Sequence, residues 1–193
     1  MMMENRKYKL NNKGASLVEL IITIAIMIIV IGGLTIGFSV ITNTYAKRAA
    51  NNINDYLQTT RTKAMTIVAD EWNIEISKKS DDYIVAINKV TITQDADGND
   101  VRNSEVFDQI FVGGDVDIEF KDSSLASKLA IDENNKLTIV YSLSQGSISD
   151  ILYNDTSIAG GSLGDMGVFS IRSGSFGRDI NLYYTTGKSE IIE

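Results

Sequence analysis

Hydrophobic and polar positions fall into three regimes along the chain. After Glu19 no charged residue appears until Lys47, and Leu20 to Ile41 is dominated by Ile, Leu, Val and Met. A bilayer core of ~30 Å takes ~20 apolar residues in a helix, so a membrane segment is expected at about 17–41. From Thr42 the pattern changes. Tyr45, Ala46, Ala49, Ala50, Ile53, Tyr56, Leu57, Ala64, Ile67 and Val68 recur in steps of three and four, the mark of an amphipathic helix. Asn51, Asn52, Asn54, Asp55, Arg61 and Lys63 fall mostly between them, on the wet side. The two regimes predict one helix from about Ser16 to Ala69, roughly 80 Å long at 1.5 Å per residue. Its membrane half is apolar all round; its amphipathic half carries one stripe for a sheet to cover.

Beyond Ala69 the period becomes two. Trp72, Ile74 and Ile76 alternate with polar neighbours, as do Tyr83, Val85 and Ile87. Val116, Ile118 and Phe120 flank Asp117 and Glu119, the pattern of a half-buried strand. Leu137, Ile139 and Tyr141 repeat it, then Phe169 and Ile171, then Ile180, Leu182 and Tyr184. Turns are expected at Asp97-Gly98, Gly113-Gly114, Ser173-Gly174 and Thr186-Gly187. The fold class that follows is α+β: a long N-terminal helix packed on a mostly antiparallel β-sheet headpiece. The expected organisation is a basic leader over 1–14, the helix over 15–69 and a β-rich headpiece over 70–193.

Composition narrows the chemistry. The 193 residues include no Cys, no His and no Pro. Disulfides, thiolate nucleophiles and thiolate metal sites are therefore excluded, and so is an imidazole base. The absence of Pro suits one unbroken helix. The chain has 18 basic and 25 acidic residues, but Arg6, Lys7, Lys9 and Lys13 face only Glu4 in the first 14 positions. The remainder is thus strongly acidic. An acidic body repels phosphate backbones, so no nucleic-acid partner is expected. The basic start reads as a segment retained in the cytoplasm.

A secretory signal peptide has an apolar region of only ~7–15 residues and a small-residue cleavage site behind it. This apolar run is longer, and Tyr45-Ala46-Lys47-Arg48-Ala49-Ala50 is a poor cleavage site. A plain anchor accounts for the length and the positive flank. It leaves Glu19 unexplained, because a carboxylate inside an apolar segment is costly and calls for a cationic partner.

Read together, Lys13-Gly14-Ala15-Ser16-Leu17-Val18-Glu19-Leu20-Ile21-Ile22 resembles the type IV prepilin signal. The resemblance implies that a prepilin peptidase cuts between Gly14 and Ala15 on the cytoplasmic side, and that Ala15 is N-methylated. It further implies that Glu19 pairs with the new N-terminus of a neighbouring subunit and so sets register. Two positions depart from the family: Ala15 stands where Phe is usual, and no Pro interrupts the helix. Gly32, Gly33 and Gly37 are the residues that would loosen it instead. Arg61-Thr62-Lys63-Ala64-Met65 before Trp72 resembles the helix end of H-type minor pseudopilins. Phe169 to Gly174, Ile180-Asn181-Leu182 and Thr186-Gly187-Lys188 resemble their closing hairpin.

Other motifs carry less. Gly160-Gly161-Ser162-Leu163-Gly164 fits G-x-S-x-G, but with no His there is no usual triad, and a surface loop is expected. Asp95-Ala96-Asp97-Gly98-Asn99-Asp100 is a candidate calcium site through Asp95, Asp97 and Asp100. Its spacing is not that of an EF-hand, and its strand-like flanks make it a hairpin tip. Arg172, Arg178 and Lys188 are too few for a nucleic-acid surface beside an acidic end. Asp115 and Asp117 have no reason to converge on a pocket.

The resemblance therefore implies a structural subunit, a minor pilin or pseudopilin, with no enzyme activity and no required cofactor. Its implied partners are prepilin peptidase, other pilins through the helix, membrane lipid before assembly, and an assembly ATPase with its platform protein. The chain would be single-pass in the bacterial cytoplasmic membrane, N-terminus inside and headpiece outside, then enter a pilus, competence or type II secretion filament. The alternative is a membrane-anchored binding or sensor module outside any filament.

Overall fold

The computed structural model describes residues 17–67, 71–95, 97–158 and 163–192, with the helical backbone alone at 33–39. Two compact units divide the chain, one up to Phe38 and one from Ser39 to Glu193. Helix α1 (Leu17–Thr66) begins in the first and ends in the second. It runs unbroken through Gly32, Gly33 and Gly37. It ends before Ile67, short of the expected Ala69, and residues 68 and 69 lie outside those described.

The second unit combines the later part of α1 with two sheets, every pairing antiparallel. The first sheet takes β1 (Glu71–Lys79), β2 (Asp82–Gln94), β3 (Asp100–Val112), β6 (Leu137–Tyr141), β7 (Ile148–Tyr153) and β8 (Thr156–Ser157), in the order β3-β2-β1-β6-β7-β8. The second takes β4 (Asp117–Asp122), β5 (Leu129–Ala130), β9 (Met166–Ser173), β10 (Phe176–Tyr183) and β11 (Lys188–Ile192), in the order β11-β10-β9-β4-β5.

The alternation read from the sequence selects the core. Trp72, Ile74, Ile76, Tyr83, Val85 and Ile87 are buried from the first sheet; Ile118, Phe120, Phe169, Ile171, Ile180 and Leu182 are buried from the second. Helix α1 contributes Ala46, Ala49, Ala50, Ile53, Leu57 and Ala64, the expected stripe of three- and four-residue steps. Thr60 completes that stripe, fully buried, its hydroxyl donating to the Tyr56 carbonyl at 2.7 Å. A threonine can sit there because the i−4 carbonyl satisfies its hydroxyl. Of the stripe's expected end, Ile67 is exposed and Val68 lies outside the described residues.

Polar contacts tie the layers together. The Tyr141 hydroxyl donates to the Leu57 carbonyl at 3.1 Å, and Gln58 Nε2 donates to the Ser189 carbonyl at 2.8 Å, so α1 is bonded to both sheets. Tyr83 bridges the sheets: its hydroxyl donates to the Ile131 carbonyl at 3.1 Å and accepts the Ile118 N–H at 3.2 Å. The four expected Gly turns all carry left-handed backbone at Gly98, Gly114, Gly174 and Gly187. Gly187 is the most constrained, since a Cβ there would lie 1.7 Å from the Gly146 carbonyl oxygen.

Candidate assembly interface

Among the described residues of the first unit, no apolar side chain is buried in a core. Every large apolar residue from Leu17 to Ile31 is between 49 and 75% exposed, and successive positions are exposed alike. With 3.6 residues per turn, that makes the helix apolar on all faces. Such a surface is one that lipid or other helices cover. Glu19 is the acid of its first turn, where the positive end of the helix dipole favours a carboxylate. Thr23 Oγ1 donates to the Glu19 carbonyl at 2.7 Å, so the neighbouring hydroxyl is satisfied within the helix.

Among the described residues no helix is long and apolar enough to cross a membrane. The run read from the sequence, Leu20 to Ile41, takes in residues 33–39, whose side chains are not among those described. Gly14 and Ala15, the expected cleavage and methylation positions, also lie outside the described residues.

The headpiece residues singled out from the sequence are placed plainly. Asp95 closes the β2–β3 turn: its carboxylate accepts the Asp97 N–H at 2.9 Å, the Asn99 N–H at 2.8 Å and the Asn99 amide at 3.3 Å. Those bonds, chiefly from Asn99, hold its pKa below the ordinary carboxylate value. Asp97 and Asp100 are exposed beside it. Among the described residues no three acidic side chains come together as a metal-holding group. In the Gly160–Gly164 motif only Leu163 and Gly164 are described. Arg172 is held by Asp179 at 2.7 Å, and Arg178 Nη1 donates to the Gly177 carbonyl at 2.9 Å. Asp115 and Asp117 share a shallow groove with Lys78 and Asp81 at the β3–β4 connection.

Two arrangements were invisible in the sequence. Asp122 is 1% exposed. Its carboxylate accepts the Ser124 N–H at 2.7 Å, the Ser124 hydroxyl and the Tyr184 hydroxyl at 2.5 Å. Burial pushes this carboxyl up, but the bonds from Ser124, Tyr184 and the Gly164 N–H outweigh it, and the net shift is downward. Burial and the Asp122 carboxylate together push the Tyr184 phenol far up. The second arrangement lies at the far end of α1. A β-bulge leaves Phe107 between the Asn88–Val106 and Ile87–Asp108 pairs. Its ring meets Trp72 edge-on at 5.3 Å, and Lys63 Nζ sits 4.0 Å above it. A strand position exposed on both sides of a bulge leaves no periodic trace in the sequence.

No family model matches the chain, and no curated protein does. Among solved structures it is similar to the type IV minor pilin FimU of Pseudomonas aeruginosa, at 15% identity and a TM-score of 0.42, over 77% of this chain and 88% of that one.

Proposed function

We propose that the chain is a structural subunit of a filament of the type IV pilin kind, made as a membrane-anchored precursor. The observation that carries this reading is the first part of α1, apolar and exposed on every face, with one carboxylate at Glu19 in its first turn. Lipid covers that surface in the precursor, and neighbouring helices cover it in the filament. Cleavage between Gly14 and Ala15 generates an ammonium group on Ala15, which is then methylated. In the filament the Glu19 carboxylate of one subunit pairs with that cation of another. The pairing removes the cost of a buried charge and selects one register among the many that apolar surfaces alone would allow.

In this reading the subunit catalyses nothing and needs no cofactor, and Asp95 closes a turn rather than holding calcium. The chain sits in the cytoplasmic membrane with its N-terminus inside. Prepilin peptidase processes it, and an assembly ATPase with a membrane platform draws it into the filament beside related subunits. The resemblance of the helix end and closing hairpin to H-type pseudopilins supports a minor subunit.

The test is expression of the full chain with and without a prepilin peptidase, followed by intact mass and N-terminal sequencing of the membrane fraction. A peptidase-dependent start at Ala15 is expected. A chain left uncut by an active peptidase would overturn the reading in favour of an anchored binding or sensor module.

A further inference from the structure

The segment from Asp95 to Asp100 lies at the tip of the β2–β3 hairpin. Pairing of β1 with β2 stops at Glu71 and Val90, so beyond that pair the hairpin is a two-stranded ribbon. Its described residues from Thr91 to Asn103 are all exposed, and none of them belongs to the core. Within that ribbon stands Asp97, and no other Asp or Asn of the chain precedes a glycine. Gly98 has no side chain to shield its amide nitrogen. Its backbone is left-handed at φ +83, and the space where a Cβ would point is open.

A carboxyl group placed one residue before an unshielded amide can close on it. The Gly98 nitrogen attacks Asp97 Cγ, a C–N bond forms, the carboxyl C–O bond breaks, and water leaves with the amide proton. Water then opens the cyclic imide. Breaking its C–N bond at Cγ restores aspartate. Breaking the C–N bond at the main-chain carbonyl carbon leaves the chain running through Cβ and Cγ, one carbon longer, with a free α-carboxylate. Water is the only other reactant, so no oxidant, metal or bound ligand is called for.

Ring closure needs the Gly98 amide to turn towards the Asp97 carboxyl, and Asp95 opposes that rotation from both sides. Its carboxylate accepts the Asp97 N–H at 2.9 Å and the Asn99 N–H at 2.8 Å, so the residues before and after Gly98 are held to one group. Its carbonyl accepts the N–H of Gly98, the attacking nitrogen itself, at 3.1 Å. We infer that Asp97 is a site of spontaneous isoaspartate formation, and that Asp95 sets its rate by holding the Gly98 amide in the turn. Because the tip lies outside the core, the converted chain stays folded and the modified residue accumulates. The chemistry is independent of the filament reading.

The test is prolonged incubation of the full chain in detergent. Isoaspartate is followed with a protease that cuts before aspartate but not before isoaspartate, and fragment masses locate the extra main-chain carbon. It is expected at position 97 before any other, and at least about tenfold more slowly in the folded chain than in the chain unfolded in urea. Asp95→Ala removes the carboxylate and should bring the folded rate most of the way to the unfolded one, while isoaspartate at Asn103 in β3 forms no faster. Asp95→Asn keeps an acceptor oxygen and should fall between. Gly98→Ala shields the nitrogen and should slow the unfolded chain as well. Equal rates in the folded and unfolded wild type would overturn the role of Asp95 without any variant. So would an Asp95→Ala chain that leaves position 97 unchanged, or that speeds Asn103 as much. Isoaspartate appearing first elsewhere would overturn the site. Aged and fresh chains should melt alike, and a lower midpoint after ageing would overturn the claim that the conversion is tolerated.

Discussion

Single residues set the strictest requirements in the headpiece. Among the described residues no cation meets the buried Asp122, and its charge is held by donors from Ser124, Tyr184 and Gly164. Asp122→Asn replaces an acceptor-only group by one that brings two donors of its own, and should cost about 1–3 kcal/mol. The sign of the pH effect follows from its lowered pKa. The charged form is favoured in the folded state, so the contribution is fully present above the unfolded carboxylate value of 3.8 and is lost as pH falls through the lower folded value. Urea midpoints of residues 39–193 from pH 7 down to 2.5 should therefore show the wild type converging on Asp122→Asn at the acid end. A constant gap would show that the charge is not what stabilises. Gly187 makes a different demand. At φ +62 and 1.7 Å from the Gly146 carbonyl oxygen, an added Cβ meets backbone that cannot swing aside. Gly187→Ala should cost about 3 kcal/mol or more, whereas Gly98→Ala, at φ +83 in open space, should cost only about 1 kcal/mol. Equal losses in thermal melts would mean that conformation, and not the close approach, governs both sites.

Elements are legible in the sequence where one face is covered and the other wet. The stripe from Ala46 to Ala64 predicted the packed face of α1, and the alternation at Trp72, Tyr83, Ile118, Leu137, Phe169 and Ile180 marked strands whose inner faces are now buried. Strand β3 has no such contrast. All but two of its residues are exposed, so its hydrogen bonds to β2 left no periodic mark, although it is as long as β2. The short β5 and β8 are two residues each, below any readable period. Asp122 and Thr60 were missed for a related reason: a buried polar side chain is recognised by partners that only the fold brings near. Helix-to-sheet packing gives the clearest test at this scale. Leu57 is fully buried, and Tyr141, also buried, donates to its carbonyl. Leu57→Ala should cost about 2–5 kcal/mol through lost burial and a residual cavity. Tyr141→Phe should cost nearer 1 kcal/mol, because it removes one hydrogen bond and leaves the ring in place. Chemical denaturation of residues 39–193 measures both, and a larger loss for Tyr141→Phe would place the stability of this contact in its polar link.

At the scale of the whole molecule, the division at Phe38 separates two kinds of surface. The second unit buries its apolar side chains on two sheets and a helix stripe, and so meets its own solvation requirements. The first exposes apolar side chains on every face of its helix, and among its described residues no other element covers them. A carboxylate on that helix contributes nothing to the headpiece core, which begins at Ala46. Glu19→Ala should therefore leave the stability of the second unit unchanged and keep the chain in the membrane fraction, since removing a charge makes an apolar helix easier to insert. What it should remove is the choice of register among neighbouring helices, because apolar packing alone is nearly indifferent to sliding by one turn. Incorporation into filaments, scored by quantitative immunoblotting of sheared material against the membrane pool, should fall at least about tenfold. Glu19→Asp keeps the charge on a shorter stem and should recover part of the loss, whereas Glu19→Gln should not. Full incorporation of Glu19→Ala would mean that helix packing sets the register unaided, and the carboxylate would then be a group that merely reaches the membrane surface from the first turn of α1.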